Sequence, residues 1–336
     1  MYRKDCEVEN SFINYLTYIS MFPQLIAGPI VRFQIVQHNL RSREVNKNNF
    51  CLGFNRFLIG LFKKTLLANQ LFNIWKETEK YGFENLSIVS AFFSIFIFLM
   101  ALYLDFASYS DMAIGMGKML GFNYEENFNY PFASISITDF WRRWHISLST
   151  WFRDYVYIPL GGSKVSKINH IRNILIVWIL TGLWHGANYS YVCWGLYFGI
   201  ILVIEKYVLN NILIKMNKIC KHIYASVLIL IGFVFFAIGD FSQIKLYFSK
   251  LFFITNSNYI DNFFFWQISN NFVIIIIGLI VSLPICMCIK NYISKMKVKI
   301  PYLYNSIQIS IIIILFFISI ANIVNDSYTP FLYFRF

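Results

Sequence analysis

The sequence predicts an all-α polytopic membrane protein. Hydrophobic residues make up 57% of its 336 residues and charged residues only 14%, whereas a soluble domain carries about 25% charged residues. The apolar residues also run in stretches of the length that crosses a bilayer, which is about 20 residues for a helix. Aromatic residues reach 20% of the chain, and Tyr and Trp favour the headgroup level of a membrane. We therefore expect a chain of helices embedded in lipid.

Five stretches are long and apolar enough to be transmembrane helices. They are residues 86–104, 189–209, 223–239, 272–289 and 307–324. The apolar segment 12–33 is interrupted by two prolines, and the apolar segment 50–72 carries three basic residues. We predict interfacial or partly inserted helices for these two segments. No linker and no internal repeat divides the sequence, so residues 1–336 are expected to form one domain.

The region 121–162 differs from these stretches, because charged and aromatic residues alternate in it. Its charged and imidazole side chains are Asp139, Arg142, Arg143, His145, Arg153 and Asp154. Such a segment is either a loop in water or an element lining a site. Irregular or charged segments are tolerated at membrane depth only where protein or a watery cavity surrounds them. An ordinary loop is richer in Gly, Ser, Asn and Asp. We predict a re-entrant segment that lines a site.

The net charge of +12 comes from short basic groups between apolar stretches. This placement is typical of cytoplasmic loops under the positive-inside rule and argues against nucleic-acid binding. The groups at 164–172, 215–221 and 290–299 can all lie in the cytoplasm, with residues 240–262 on the other side. The sequence therefore predicts a multi-pass protein of the cytoplasmic membrane, with the lipid bilayer as its surroundings.

This topology places His185 inside the membrane. A helix that rises about 1.5 Å per residue climbs roughly 21 Å from Ile171 to His185, within a hydrocarbon core about 30 Å thick. An ionisable side chain at that depth is costly unless it faces a cavity or a partner. His185 is then either a functional residue or a neutral histidine bonded to a carbonyl, and the residues alone leave both open.

His145 belongs to a predicted helix whose side chains at three- and four-residue spacing share one face. That face holds Trp141, Trp144, His145 and Leu148. We expect Thr138 or Asp139 to cap this helix. The alternative is an interfacial helix with a structural histidine. The other histidines, His38, His170 and His222, lie beside basic loops and are expected to be solvated. The six cysteines show no pairing or metal-site spacing with histidine, so we expect no metal centre.

Several long motifs follow one another along the chain. They are FPQLIAGPI at 22–30, LDFASYSDMAIG at 104–115, NFNYPF at 127–132, DFWRRWHISLS at 139–149, RDYVYIPLGG at 153–162, TGLWHGAN at 181–188 and PFLYF at 330–334. Together they resemble the membrane-bound O-acyltransferase (MBOAT) family. The resemblance is to the bacterial branch that contains alginate and peptidoglycan O-acetyltransferases and the D-alanyl-transfer protein of teichoic acids.

This resemblance implies an MBOAT-like helical bundle, and we expect the chain to lack the N-terminal helices that usually precede the first motif. It also implies a membrane O-acyltransferase that moves an acyl group, acetyl by preference, to a hydroxyl of an extracytoplasmic polysaccharide or its carrier. The donor would be a cytoplasmic thioester, either acetyl-coenzyme A or an acyl carrier, with no bound cofactor. A periplasmic or extracellular acyl-transfer partner is a further expectation.

The same resemblance assigns roles to individual residues. His185 is expected to be the catalytic base, and His145 a second catalytic residue that orients the acceptor or stabilises the oxyanion. The expected substrate-binding residues are Trp141, Arg142, Arg143, Trp144 and Asn188. Arg142, Arg143 and Arg153 are suited to donor phosphates, but ion pairs with Asp139 or Asp154 are the preferred interpretation. Asp105 and Asp111 are expected to be structural.

Two alternatives and two departures accompany this interpretation. The chain could instead be an inactive truncated subunit, or a polytopic transporter or flippase, although a transporter usually shows internal repeats. Relatives often carry histidine where this chain has Phe198, and arginine where it has Ala237. Neither departure removes a residue of the expected catalytic pair.

Overall fold

The computed structural model describes residues 7–25, 28–252, 258–285 and 301–325. These residues form helices and turns, with no strand among them. The α-helices are α1 (Phe12–Ile19), α2 (Phe33–Arg41), α3 (Lys47–Phe62), α4 (Asn69–Tyr81), α5 (Ile88–Met119), α6 (Ile137–Arg143), α7 (Ile146–Phe152), α8 (Lys167–His185), α9 (Tyr189–Ile204), α10 (Asn210–Lys215), α11 (Lys218–Ala237), α12 (Phe241–Leu251), α13 (Asn262–Ser282) and α14 (Pro301–Asn325).

Within the described part of the chain, five helical segments are long and apolar enough to cross a membrane, which confirms the predicted all-α polytopic class. They are Ile88–Met119, Tyr189–Lys215, Lys218–Ala237, Asn262–Ser282 and Asn305–Asn325. Each overlaps one of the five predicted stretches. The first is longer than predicted because α5 continues fifteen residues beyond Leu104, and the fourth begins ten residues before the predicted stretch 272–289. The chain is a multi-pass membrane protein.

The long helix α5 is the centre of the bundle. Most of its side chains are buried, and it packs against α3, α4, α11, α12 and α13. Its closest approach is to α3, where a methyl group added at Gly53 or Gly60 would collide with the α5 backbone. Small residues at such crossings let helix backbones approach closely in membrane proteins.

The charged residues of the predicted segment 50–72 are paired with acids rather than solvated. α3 continues through a π-helical segment (Lys63–Ala68) into α4. Lys64 donates to Asp105 at 2.5 Å and Lys63 to Asp111 at 2.7 Å, while Arg56 bridges Asp111 and Glu126 at 2.6 Å each. Pairing satisfies charges that would be costly if left alone in a low-dielectric interior. The structural role expected of Asp105 and Asp111 agrees with these contacts.

The predicted re-entrant region contains two short helices whose aromatic side chains pack against the long helices. The ring of Trp144 lies 6.0 Å from that of Tyr103 on α5, and the ring of Trp141 lies 5.4 Å from that of Trp194 on α9. The ring of Phe140 lies 6.1 Å from that of Phe233 on α11. These contacts hold the irregular segment inside the bundle.

Two details of this region were predicted wrongly. The expected single helix is two helices, because it breaks at His145, which has left-handed backbone angles (φ 46°, ψ 56°). Trp141, Trp144, His145 and Leu148 therefore do not share one helix face. The cap of α6 is neither Thr138 nor Asp139 but Ser136, whose hydroxyl accepts from the Asp139 N–H at 3.0 Å.

Some sequence features lie outside the described residues. They are Cys6, residues 26–27 of the first motif, Cys286, Cys288, most of the basic group at 290–299 and the motif at 330–334.

Candidate active site

A cavity of about 240 Å³ lies between the re-entrant region and helices α8 and α9. Both predicted catalytic histidines line it, as do the predicted binding residues Trp141, Arg142 and Trp144. The remaining lining residues are Thr138, Leu148, Ser149, Phe152, Arg153, Tyr157, Val177, Trp178, Thr181, Trp194 and Leu202. His145 and His185 are 40 positions apart in the chain and thus line the same cavity, whose walls are mainly aromatic.

His145 is held at the break between α6 and α7. Its side chain is 4% exposed, and its ring packs edge-on against Phe106 of α5, with 4.6 Å between the ring centroids. A non-glycine residue with positive φ is uncommon and is kept in place only by its surroundings. Here the stabilising contacts come from Asn127, which lies ten positions before the start of α6.

The fully buried Asn127 clamps this turn from both its backbone and its side chain. Its carbonyl accepts from the Ile146 N–H at 2.9 Å, and its Oδ1 accepts from the Ser147 N–H at 3.2 Å and the Ser147 hydroxyl at 2.9 Å. A backbone N–H can only donate, so the side-chain atom that faces it must be the oxygen. The amide nitrogen of Asn127 donates to Ser110 Oγ at 3.1 Å.

This clamp also decides the tautomer of neutral His145. Nδ1 of His145 lies 3.2 Å from Asn127 Oδ1, and an amide oxygen only accepts, so Nδ1 must carry the proton. Nε2 then carries the lone pair. Nε2 is buried and has no hydrogen-bond partner among the described residues. The neutral imidazole therefore has an acceptor and not a donor at Nε2.

His185 is the last residue of α8, and its ring is enclosed by aromatic edges. The ring centroids of Trp194 and Phe236 lie 5.0 Å and 5.3 Å from it, both nearly perpendicular. The helix ends there because Gly186 has φ 155°, a conformation that favours glycine. The chain then turns directly into α9, which runs back along α8. A Cβ at Gly195 of α9 would overlap the Trp178 backbone, so this close packing requires glycine.

The α6 helix that carries Trp141 and Arg142 is anchored by a buried acid that the sequence analysis did not identify. Glu205, in the π-helical segment Glu205–Leu209, accepts from the Ile137 N–H at 2.6 Å, the Thr138 N–H at 2.9 Å and the Thr138 hydroxyl at 2.7 Å. A carboxylate at a helix N-terminus satisfies unpaired N–H groups and complements the helix dipole. The available signal was the one acid in the predicted span 189–209.

Two of the three arginines near the cavity form ion pairs. Arg143 donates to Asp139 at 2.8 Å, and Asp154 receives both Arg153 at 2.8 Å and Arg32 at 2.5 Å. The preferred interpretation of these arginines is confirmed for Arg143 and Arg153. Arg142 is exposed, lines the cavity and forms no ion pair within the described part of the chain. Its assignment to donor phosphates stays a prediction.

Asn188 and Arg143 are not among the residues that line the cavity. Asn188 caps α9, with its Oδ1 accepting from the Ser190 N–H at 3.0 Å, and its amide nitrogen donates to the Gly239 carbonyl at 3.1 Å. These bonds join the turn after His185 to the end of α11. The structure therefore gives Asn188 contacts that position the turn, and its predicted substrate contact stays a prediction.

A family model for the membrane-bound O-acyltransferase family matches residues 8–241 of the chain, which is more than half of it and includes every residue of the cavity. The chain belongs to the membrane-bound O-acyltransferase family. Three of the motifs named above, at 139–149, 153–162 and 181–188, supply residues to the cavity that holds the two histidines.

Three bacterial members of the membrane-bound O-acyltransferase family illustrate the similarity. The chain is 41% identical to the "Probable alginate O-acetylase AlgI" of Pseudomonas aeruginosa over 238 residues, or 70% of this chain and 45% of that protein. It is 39% identical to the peptidoglycan O-acetyltransferase of Helicobacter pylori over 201 residues, 58% of this chain and 37% of that one. It is 30% identical to the teichoic acid D-alanyltransferase of Bacillus subtilis, with 56% and 50% covered. The chain spans about half the length of these relatives.

The other histidines of this MBOAT chain behave differently from one another. His38 is exposed, as predicted. The expectation of solvation is wrong for His170, which is buried, with Nε2 2.6 Å from the Tyr157 hydroxyl and Nδ1 2.5 Å from the Tyr207 hydroxyl. It is also wrong for His222, which is partly buried, with Nδ1 2.9 Å from the Ser134 carbonyl. Sequence proximity to a basic loop did not reveal the neighbouring elements that cover these two rings.

Proposed function

We propose that this chain is a membrane O-acyltransferase that moves an acetyl group from a cytoplasmic thioester to a hydroxyl of an extracytoplasmic polysaccharide or its carrier. The observation that carries the proposal is that His145 and His185 line one cavity that is otherwise mainly apolar. Two relatives are named for O-acetyl transfer to alginate and peptidoglycan, which supports acetyl over other acyl groups. The acceptor is a polymer hydroxyl of that class.

His185 is proposed as the general base. An imidazole has a pKa of about 6.5 in water, so its neutral form is available near neutral pH, and a positioned base contributes about 10²–10⁴-fold to the rate. His185 takes the acceptor hydroxyl's proton while the oxygen attacks the thioester carbonyl carbon. The tetrahedral adduct then expels the thiolate, and the imidazolium returns the proton to give a free thiol and an ester.

His145 is proposed to orient the acceptor hydroxyl. Of the two roles expected of His145, orienting the acceptor fits better, because neutral His145 carries a lone pair at Nε2. A lone pair accepts from a hydroxyl but cannot donate to an oxyanion. Fixing the hydroxyl near the carbonyl converts an encounter into a positioned reaction, which is a large source of rate enhancement. The aromatic walls exclude water and so protect the thioester from hydrolysis.

The donor is proposed to be acetyl-coenzyme A or an acetylated carrier, and Arg142 is the residue available for its phosphate. Arg142 is exposed at the cavity and free of an acidic partner within the described residues, and guanidinium groups match phosphate oxygens. A periplasmic or extracellular partner that passes the acetyl group to the polymer is compatible with this arrangement. Trp141 and Trp144 complete the proposed binding surface.

The test compares cells that carry the intact chain, the His185→Ala chain at equal membrane abundance, or no copy of the gene. The measurement is O-acetyl release from envelope and secreted polysaccharide after mild alkaline treatment. We expect ester in the first strain and its loss in the other two, with His38→Ala as the matched control because that histidine is exposed. Equal ester in all strains would refute acyl transfer by this chain.

A further inference from the structure

The cavity of the proposed acyltransferase needs hydrogen-bond donors for the carbonyl oxygen, which gains negative charge when the hydroxyl attacks. Removing such donors is among the most damaging changes in acyl-transfer enzymes. His145 cannot supply one while it is neutral, because its Nε2 is an acceptor. Another lining residue must therefore donate, and the cavity wall can be searched for it.

The hydroxyl groups of the cavity wall are already engaged. Thr138 donates to Glu205 at 2.7 Å, Thr181 to the Val177 carbonyl at 2.8 Å, and Ser149 to the Trp141 carbonyl at 3.4 Å. The Tyr157 hydroxyl lies 2.6 Å from His170 Nε2. Arg153 is paired with Asp154, and Arg142 is exposed, so its donors are already solvated.

Two indole nitrogens of the wall remain. Trp141 and Trp194 are 9% and 1% exposed, and the Nε1 of each is buried without a hydrogen-bond partner among the described residues. An indole nitrogen can only donate, and leaving a buried donor unsatisfied costs about 1–3 kcal/mol. Two such donors in one wall are therefore unusual in a structure whose other buried polar groups are mostly paired.

Their position suits the reacting carbonyl. The two indoles are in contact, with 5.4 Å between ring centroids, and the Trp194 ring lies 5.0 Å from that of His185. A carbonyl held beside the proposed base thus lies beside Trp194, and Trp141 contacts Trp194 within the same wall. The low-dielectric aromatic surroundings strengthen a hydrogen bond to a charge that develops there.

We propose that the indole N–H groups of Trp141 and Trp194 bind the thioester carbonyl oxygen and stabilise its oxyanion. This inference rests on the proposed acyl transfer. As the acceptor oxygen attacks, the π electrons of the C=O bond move onto the carbonyl oxygen, which the two N–H groups hold. The electrons return when the C–S bond breaks, so the indoles neither gain nor lose a proton.

The test replaces the N–H while keeping the ring. Trp194, and separately Trp141, is replaced by 3-benzothienylalanine, which has sulfur in place of the indole N–H. Trp→Phe at each position is the simpler variant. We expect kcat for acetyl transfer from acetyl-coenzyme A to fall about tenfold or more with KM changed much less, because the bond is strongest in the transition state. Trp178→Phe, which changes the same wall at a residue whose nitrogen is not a buried unsatisfied donor, should lose less.

A second readout needs no turnover. In the His185→Ala background, the infrared band of a ¹³C-labelled acetyl-coenzyme A carbonyl should lie at lower wavenumber when bound than in water-free solvent, and should move back up in Trp194→Phe. Full kcat in both benzothienylalanine variants, or an infrared band that the substitutions do not move, overturns the indole assignment. Absence of acetyl transfer by the intact chain overturns instead the proposed function on which it rests.

Discussion

Asn127 Oδ1 lies 3.2 Å from His145 Nδ1, and the same oxygen accepts from both the backbone and the hydroxyl of Ser147. One amide thus sets the backbone turn and the ring orientation of a residue 18 positions further along. Because it accepts from Nδ1, it also determines that neutral His145 carries its lone pair at Nε2. The division of work proposed here, with histidines handling the hydroxyl and indoles the carbonyl oxygen, follows from this contact.

Asn127→Ala is expected to lower kcat about 100-fold while leaving the chain folded in the membrane. Without the amide, His145 loses the bond that orients its ring, and misplacement by about 1 Å costs on that order. The measurement is acetyl transfer by membranes with matched amounts of protein. Asn123→Ala, at an exposed position, is the matched control. Equal activity of the two variants would contradict an orienting role for Asn127.

The membrane helices could be predicted from the sequence because their signal is local. About twenty apolar residues in a row indicate a span whatever lies around them, and each of the five predicted stretches overlaps a described span. The end of α5 could not be predicted from the same signal. Asp105 and Asp111 look like the end of a helix, and only their partners Lys64, Lys63 and Arg56 explain why the helix continues.

Some members of the site could be predicted from the sequence, but its geometry could not. His145 and His185 stand out as ionisable residues among apolar ones, and the structure brings both to one cavity. The break at His145 was not visible, because bonds from Asn127 impose its left-handed backbone and no local residue does so. The acid that binds the first N–H groups of α6 was missed for the same reason, since Glu205 lies 67 residues beyond the Thr138 hydroxyl it accepts from.

Glu205→Ala is expected to destabilise α6 and with it the cavity. The substitution leaves the N–H groups of Ile137 and Thr138 without their partner, and each unsatisfied buried donor costs about 1–3 kcal/mol. We expect a lower thermal midpoint in detergent and a loss of acetyl transfer, with Glu205→Gln intermediate because it keeps one acceptor oxygen. Glu84→Ala, at an exposed acid, should match the intact chain. A midpoint unchanged in Glu205→Ala would show that this carboxylate is dispensable for stability.

Substitutions of Lys64 and Asp105 test whether their buried ion pair holds α5 against the π-helical segment Lys63–Ala68. Removing one member of a buried pair costs about 3–5 kcal/mol, because the other charge stays behind without compensation. We therefore expect Asp105→Leu to destabilise the chain more than the double variant Lys64→Met with Asp105→Leu. The free energy of unfolding in mixed micelles is the measurement, with Lys80→Ala as the control for an exposed pair worth less than about 1 kcal/mol. A double variant at least as unstable as the single one would contradict this account.

Asp154 should make the stability of the chain depend on pH in acid. The hydrogen bond from Arg153, followed by the charges of Arg153 and Arg32, holds the pKa of Asp154 below its usual value of 3.8. A carboxyl with a lowered pKa in the folded state stabilises that state at pH values above its usual pKa, and the contribution disappears as the pH falls through the folded value. The thermal midpoint of the intact chain should therefore fall more steeply below about pH 4 than that of Asp154→Asn, which cannot ionise. Asp154 contacts both Arg32, which precedes α2, and Arg153, which lines the cavity. If the intact chain and Asp154→Asn have the same pH profile, the ionised Asp154 does not stabilise the packing of these two regions.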